Sequence, residues 1–322
     1  MKQRKGTAVS VPRVAAIHDL AGFGRCSLCV IMPTLSAMGT QAIPLPTALL
    51  STHTGGFSGY TFLDLTEEMR KIAVHWASLP LQFEAIYSGF LGNLEQICVV
   101  EDFIHQFRGE GAPVFVDPVM GDDGNLYATY TEEMRAAMKA LVRQADVICP
   151  NITEAFFLLD RQYEDIGRMS PKEACECVGE LLYDLAAYGP EGVVITGVET
   201  ETKDGRQLIG AACLQRTEEA AAEFYMAPKV DASYPGTGDL FASVLLGYLV
   251  RGKTLKEAAA AAVGFVHLVV KDTWRYAPPQ REGVIFEKHL YRLHSAPSAF
   301  LKHVDILPLA QEKSASGSTN LS

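Results

Sequence analysis

The chain of 322 residues has no apolar run long enough to span a bilayer, and its polar, basic opening (residues 1–6) leads into no signal-peptide core. It has no excess of positive charge: 28 Lys and Arg stand against 38 Asp and Glu, for a net charge of −10. That balance argues against non-specific nucleic-acid binding. No G-x-x-x-x-G-K-[ST] stretch is present, so any bound phosphate is not held by a P-loop. The seven cysteines include two close pairs, Cys26/Cys29 and Cys175/Cys177, and no second Cys or His pair completes either as a metal site. Cys98, Cys149 and Cys213 lie in apolar patterns and read as free thiols of a structural interior, which fits a reducing compartment. The expectation is a cytoplasmic protein with no membrane and no nucleic acid among its partners.

What is there is a rhythm. Short apolar strands at 11–17, 41–45, 85–87, 113–116, 147–149 and 192–197 alternate with amphipathic helices at 27–38, 63–77, 94–107, 132–143 and 171–187. This alternation predicts an α/β fold with a mostly parallel sheet covered on both faces. Residues 208–214 and 222–226 read as antiparallel strands finishing the sheet, and 254–270 and 284–293 as closing helices. The pattern decays from Ser295, and the Ser-rich 313–322 is expected to be disordered. No internal repeat or linker divides the chain, so one domain over 11–294 is expected, with a loose arm at 1–10 and a partly disordered tail at 295–322. Ligands of such sheets bind beyond the carboxyl ends of the strands, and the polar clusters fall at those ends.

The first is His18-Asp19-Leu20-Ala21-Gly22-Phe23-Gly24, read as a loop. Its Gly22-Phe23-Gly24-Arg25-Cys26-Ser27 nearly spells a dinucleotide fingerprint, but Ser takes the third glycine position and no acid follows to bind a ribose. The Gly- and hydroxyl-rich 49–60 reads as a surface flap. Asp117-Pro118-Val119-Met120-Gly121-Asp122 carries two carboxylates on a strand-end loop. Asn151 and Glu154 have the spacing of a helix capping box. Together Asp117, Asp122, Asn151 and Glu154 form an oxygen-rich set suited to Mg²⁺ bridged by water to nucleotide phosphates.

Gly236-Thr237-Gly238-Asp239 enters a helix whose apolar residues begin at Leu240. Its glycines allow close backbone approach, and the unpaired N–H groups of a first turn favour an anion. Asp239 either caps that helix or takes a proton from a hydroxyl attacking phosphorus.

Pro235-Gly236-Thr237-Gly238-Asp239-Leu240-Phe241 resembles the ribokinase-like superfamily. With Ser51-Thr52-His53-Thr54-Gly55, Ser88-Gly89-Phe90, Asp117-Pro118-Val119-Met120-Gly121-Asp122 and Pro150-Asn151-Ile152-Thr153-Glu154-Ala155, the chain over about 14–290 is similar to the pyridoxal kinase family of that superfamily. The resemblance implies a ribokinase-like three-layer α/β/α sandwich. It also implies ATP-dependent phosphorylation of the 5′-hydroxymethyl group of pyridoxal, pyridoxine or pyridoxamine, with ATP and Mg²⁺, and with K⁺ as a further candidate ion. Asp239 would be the base, and Gly236, Thr237 and Gly238 the anion hole. Asp117, Asp122 and Glu154 would serve the metal, and Asp117, Asn151, Glu154, Thr196, Val230 and Thr237 the ATP. Thr54, Phe90 and Tyr127 would border the vitamin. A homodimer would follow by analogy.

One departure stands out. Where the family carries a ring-binding Ser, this chain places Asp19, which would grip a protonated ring nitrogen or an amine and points toward pyridoxamine; alternatively it caps a turn. His18 and His53 read as hydrogen-bonded loop histidines. The rival readings are a hydroxymethylpyrimidine kinase, against which the absence of a Gly-Ser-Asp-x-Ser-Gly-Gly opening counts, and a non-catalytic B6- or nucleotide-binding protein, against which an intact Asp239 counts.

Overall fold

Strand β1 (Arg13–Phe23) alternates its side chains across the sheet: Ala15 and Ile17 enter one apolar core, Val14 and Ala16 the other. The same division holds at Ile86 against Ala85 and Tyr87, and at Val114 and Val116 against Phe115. Both faces of the central strands are therefore buried. A computed structural model describes residues 11–217 and 221–308 of the chain.

After β1 come α1 (Leu28–Ala37), β2 (Gln41–Thr52), β3 (Phe62–Asp64), α2 (Thr66–Ala77), β4 (Ala85–Ser88) and α3 (Leu94–Phe107). Then follow β5 (Val114–Val116), the hairpin β6 (Gly121–Asp122) and β7 (Asn125–Leu126), α4 (Glu132–Val142), β8 (Val147–Ile148), α5 (Ile152–Leu158) and α6 (Pro171–Tyr188). The chain continues with β9 (Gly192–Glu201), β10 (Gln207–Gln215), β11 (Glu223–Pro228), α7 (Thr237–Val250), α8 (Leu255–Tyr276) and β12 (Asp305–Pro308). The ten-stranded sheet runs β12-β11-β10-β9-β8-β5-β4-β1-β2-β3. From β9 to β2 every pairing is parallel, and β3, β10, β11 and β12 are antiparallel at the two edges. This is the expected three-layer α/β/α sandwich.

Helices α2 to α6 bury their apolar residues in the first core; α1, α7 and α8 fill the second. Helix α7 is apolar all round, and Leu240 to Tyr248 are all buried. It can be so because α8 offers it a run of buried alanines, Ala258 to Ala262, small enough for close approach.

Several sequence expectations are corrected. Strand β1 does not stop at Ile17: it runs through His18 and Asp19 to Phe23, because β2 also continues to Thr52 and supplies a parallel partner, with a register shift between His18 and Leu20. Residues 49–52 of the expected flap are accordingly strand, and only 53–61 is loop. The expected closing helix at 284–293 is a 3₁₀ segment, Glu287–His294. The pattern that fades from Ser295 still yields β12, which pairs with β11 beyond the expected domain end at 294. The arm at 1–10 and the Ser-rich 313–322 lie outside the described residues. All seven cysteines are free; Cys149 and Cys213 are buried as expected, whereas Cys98 is exposed because Ile97, Val99 and Val100 take the core-facing side of α3. Among the described residues no helix is long and apolar enough to cross a membrane.

Candidate active site

Asp19 on β1, Asp117 just after β5, Glu154 in α5 after β8 and Asp239 in α7 lie near enough for Asp239 to raise Asp19 and Asp117, and for Glu154 to raise Asp117. Asp239 sits in the first turn of α7, whose N-cap is Gly236 at φ 79°. Glycine is required there twice over: the angle is left-handed, and a Cβ would come within 2.1 Å of the Arg25 carbonyl oxygen. At Gly238, in the first turn of α7, a Cβ would meet nothing within 4 Å. The Thr237 hydroxyl donates to the Tyr234 carbonyl at 3.0 Å and braces the turn.

The Asp239 Oδ2 accepts hydrogen bonds from the Ser27 N–H at 2.8 Å and the Cys26 thiol at 3.4 Å. Burial pushes the Asp239 carboxyl above its ordinary range, while the Ser27 and Cys26 hydrogen bonds and the nearby His53 pull it back. Asp19, also buried, is pushed up to about 6 by burial and then by the Asp239 charge, with the Ser27 hydroxyl acting in the opposite sense. The two carboxylates thus share one corner, with Ser27 between them.

The second corner holds Asp117 and Glu154, both buried. Burial raises both above the ordinary carboxylate range; Asp117 is raised further by Glu154 and Asp239. Glu154 accepts from the Asn151 N–H at 2.8 Å and the Met120 N–H at 3.0 Å, and Asn151 in return accepts from the Glu154 N–H at 2.9 Å. This is the capping box expected at the head of α5. The Asn151 amide also donates to the Gly121 carbonyl at 2.8 Å, and Thr153 accepts from the Gly124 N–H at 2.9 Å. These bonds dock the β6–β7 hairpin on α5, with Asp123 and Gly124 at positive φ in its turn. Asp122 lies in that hairpin, exposed and raised by its partial burial. Tyr127 follows it; burial and then Glu154, Asp122, Asp117 and Cys26 raise its phenol. Thr196 pairs with Asn151 in an isolated parallel bridge and donates its N–H to the Pro150 carbonyl at 2.9 Å.

Asp19, Asp239, Asp117, Glu154, Asn151, Thr196 and Tyr127 are therefore brought together. Thr54, Phe90 and Val230 make no hydrogen bond to that set among the described residues. Thr54 is exposed beside His53, Phe90 accepts from the Thr47 hydroxyl at 3.1 Å, and Val230 accepts from the Ala232 N–H at 2.7 Å. The expected metal set, Asp117, Asp122 and Glu154, does not converge as a cage: among the described residues no group of three or more His, Cys, Asp or Glu is disposed to hold an ion. The upward push of burial and of the Glu154 and Asp239 charges on Asp117 nevertheless marks uncompensated negative charge, and the all-oxygen donors of Asp117 and Glu154 fit a Mg²⁺ held through water.

The two histidines expected in hydrogen-bonded loops divide. His53 is a hydrogen-bonded loop histidine as expected: its Nδ1 accepts from the Gly55 N–H at 3.1 Å, which leaves Nε2 to donate to the Arg281 carbonyl at 2.7 Å. His18 is neither in a loop nor hydrogen-bonded. It is fully buried, both ring nitrogens lack partners among the described residues, and burial lowers it to about 3. Its ring packs edge-on to Tyr87 with centroids 4.3 Å apart, and Gly89 is needed beneath it, since a Cβ there would come within 2.0 Å of the ring. Cys26 and Ser27 were the functional neighbours that sequence reasoning missed. The unusual Gly-rich approach to α1 was their one signal.

Known proteins bear on this geometry. A family model described as phosphomethylpyrimidine kinase matches residues 32–281. The chain is 30% identical over 205 residues to the pyridoxal kinase of Sus scrofa, covering 60% of this chain and 61% of that protein, so it spans less than two thirds of that relative's length. It is 30% identical over 267 residues to the pyridoxine/pyridoxal/pyridoxamine kinase of Bordetella avium, covering 77% of this chain and 81% of that protein. Its fold matches, with a TM-score of 0.82 and 40% identity over 92% of this chain and 100% of the other, a Bacteroides thetaiotaomicron protein assigned as a phosphomethylpyrimidine kinase and crystallised with pyridoxal. The family model and these relatives cover most of the chain: it belongs to the phosphomethylpyrimidine kinase family, among the pyridoxal kinases of the ribokinase-like superfamily.

Proposed function

We propose that the protein transfers the γ-phosphoryl group of ATP to the hydroxymethyl group of a vitamin B6 vitamer, with Asp239 as general base. The observation that carries this reading is Asp239 itself, fixed by two donors on one oxygen beside the open N-terminus of α7. The vitamer's hydroxyl gives its proton to Asp239 as its oxygen bonds to the γ-phosphorus, and the bond to the departing ADP oxygen breaks. The N–H groups of Gly236, Thr237 and Gly238 face the charge that develops on the transferred group. Mg²⁺, when bound, would offset phosphate charge, and Asp117 and Glu154 would hold its waters, with Asp122 at the rim. Asn151 and Thr196 would flank the nucleotide, as would Val230. Tyr127 would cover the vitamer, with Thr54 and Phe90 at its border.

Asp19 gives the site a second carboxylate where a ring nitrogen or amine would lie, which favours a cationic vitamer such as pyridoxamine. The description of the matching family favours one alternative acceptor, a hydroxymethylpyrimidine, by the same chemistry on the same residues.

The test is ADP release with Mg-ATP against pyridoxal, pyridoxamine, pyridoxine, hydroxymethylpyrimidine and ribose, with Asp239→Asn alongside. Turnover of the B6 vitamers that collapses in the variant is the expected result. Turnover of hydroxymethylpyrimidine alone would transfer the reading to that acceptor, and a fully active Asp239→Asn enzyme would end the base assignment.

A further inference from the structure

Cys26 and Ser27 reach Asp239 from 213 and 212 residues earlier in the chain. Both donors converge on Oδ2, and among the described residues no hydrogen bond reaches Oδ1. Ser27 delivers its N–H from φ 50° and ψ −132°, a backbone state that residues other than glycine rarely adopt. Such a state persists only where the surroundings enforce it, and here they do. The Arg25 carbonyl rests against Gly236 and Gly283, where a Cβ would come within 2.1 Å and 2.8 Å of it. The Arg25 N–H donates to the Glu282 carbonyl at 3.1 Å, and its Nε pairs with Glu287 at 2.7 Å. The turn is clamped on one side by the entrance to α7 and on the other by the segment around 282–287.

We infer that the turn at 25–27 is an orienting clamp for the base and that Cys26 is a positioning residue within it: the thiol and the Ser27 N–H lock Oδ2, so that Oδ1 is the oxygen presented to the substrate hydroxyl. This rests on the reading of Asp239 as the base. A thiol is a weak donor, but a poorly solvated carboxylate is a strong acceptor, and hydrogen bonds gain strength when one partner is charged. The thiol stays protonated and available to donate, because burial and the charges of Asp239 and Asp19 push it well up. The titratable groups that share this corner are Asp19 and His53, with Asp117 and Tyr87 feeling the Asp239 charge from the neighbouring strand ends.

The experiment is kcat and KM as functions of pH for Cys26→Ala, Cys26→Val and Cys26→Ser, beside Asp239→Asn. The Ala and Val variants should lose about tenfold in kcat, the scale of one hydrogen bond to a charged group, with both KM values within about twofold of wild type. The acid limb of their kcat profile should move to higher pH, since the base has lost a donor that favours its ionised form. Cys26→Ser, which restores a donor, should bring kcat back to within about twofold of wild type. Should Cys26→Ala not fold, the Val and Ser variants, close to the thiol in size, carry the same comparison. A Val variant with wild-type kcat and pH profile would mean that the thiol only fills space and would overturn the inference. So would a Ser variant as slow as the Val variant. If Asp239→Asn itself retains turnover, the base reading fails instead, and the two failures are told apart.

Discussion

Glu154 is held partly by its own helix start, through the N–H of Asn151 three residues before it, and partly by the N–H of Met120, 34 residues before it. Asp239 is held by Cys26 and Ser27, more than two hundred residues away. Both are carboxylates in the first turn of a helix, both are pushed upward by burial, and each accepts two donors. The difference lies in which oxygens are used. Glu154 has one donor on each oxygen and is fixed as a cap, whereas Asp239 takes both donors on Oδ2. A carboxylate whose oxygens are both engaged suits a structural and electrostatic task. One that keeps an oxygen unengaged suits proton transfer.

The largest expected effect breaks the second arrangement. Asp239→Asn keeps the shape and cannot accept a proton, so kcat should fall by about 100- to 10,000-fold in an ADP-release assay while KM changes little. At the corner of Asp117 and Glu154, Asp117→Asn removes one of two raised carboxylates. Activity should fall by about 10- to 100-fold, as for a group that acts on a metal through its waters. The folded protein without Mg-ATP should at the same time gain thermal stability. The sign follows from linkage: carboxyls raised in the folded state bind protons there that they release when unfolded, so stability declines as pH rises above their unfolded values. The variant should flatten that decline above pH 4 in thermal melts, and an unchanged slope would count against the repulsion.

Asn151→Ala removes the cap and one anchor of the β6–β7 hairpin, and should cost about 0.5–2 kcal/mol in denaturant unfolding. The smallest effect separates the adjacent His18 and Asp19. His18, lowered to about 3, contributes stability that is present above its ordinary value of 6.5 and is lost as pH falls through the range below it. Asp19, raised from 3.8 to about 6, contributes stability that is lost as pH rises through that same window. The two therefore oppose each other between about 4 and 6, on top of the decline that Asp117 and Glu154 set. Relative to wild type, His18→Gln should steepen the fall in stability with rising pH there, and Asp19→Asn should make it shallower. Identical profiles in the two variants would show that neither group is shifted as described.

The same contrast explains what could be read in advance. The capping box at Asn151 and Glu154 was legible because both partners lie within one helical turn, and the alternation of strands and helices was legible because burial of both sheet faces imposes it on every segment. The extension of β1 through His18 to Phe23 was not legible, because its glycines and polar residues read as a loop until β2 supplies a partner through Thr52. Strand β12 was hidden for the same reason: among the described residues its one ladder is with β11, some eighty residues earlier.

By itself the sequence determined the layered fold, the Gly-Thr-Gly-Asp entrance to α7 and the set of oxygen-bearing residues at the strand ends, since each is written in local pattern. Tertiary structure alone decided that Cys26 and Ser27 meet Asp239 and that Asp19 shares its corner. It likewise decided that Asp117, Asp122 and Glu154 form no closed cage. Such facts depend on the relative placement of distant strand ends, which the packing of two cores against one sheet fixes and no local pattern encodes.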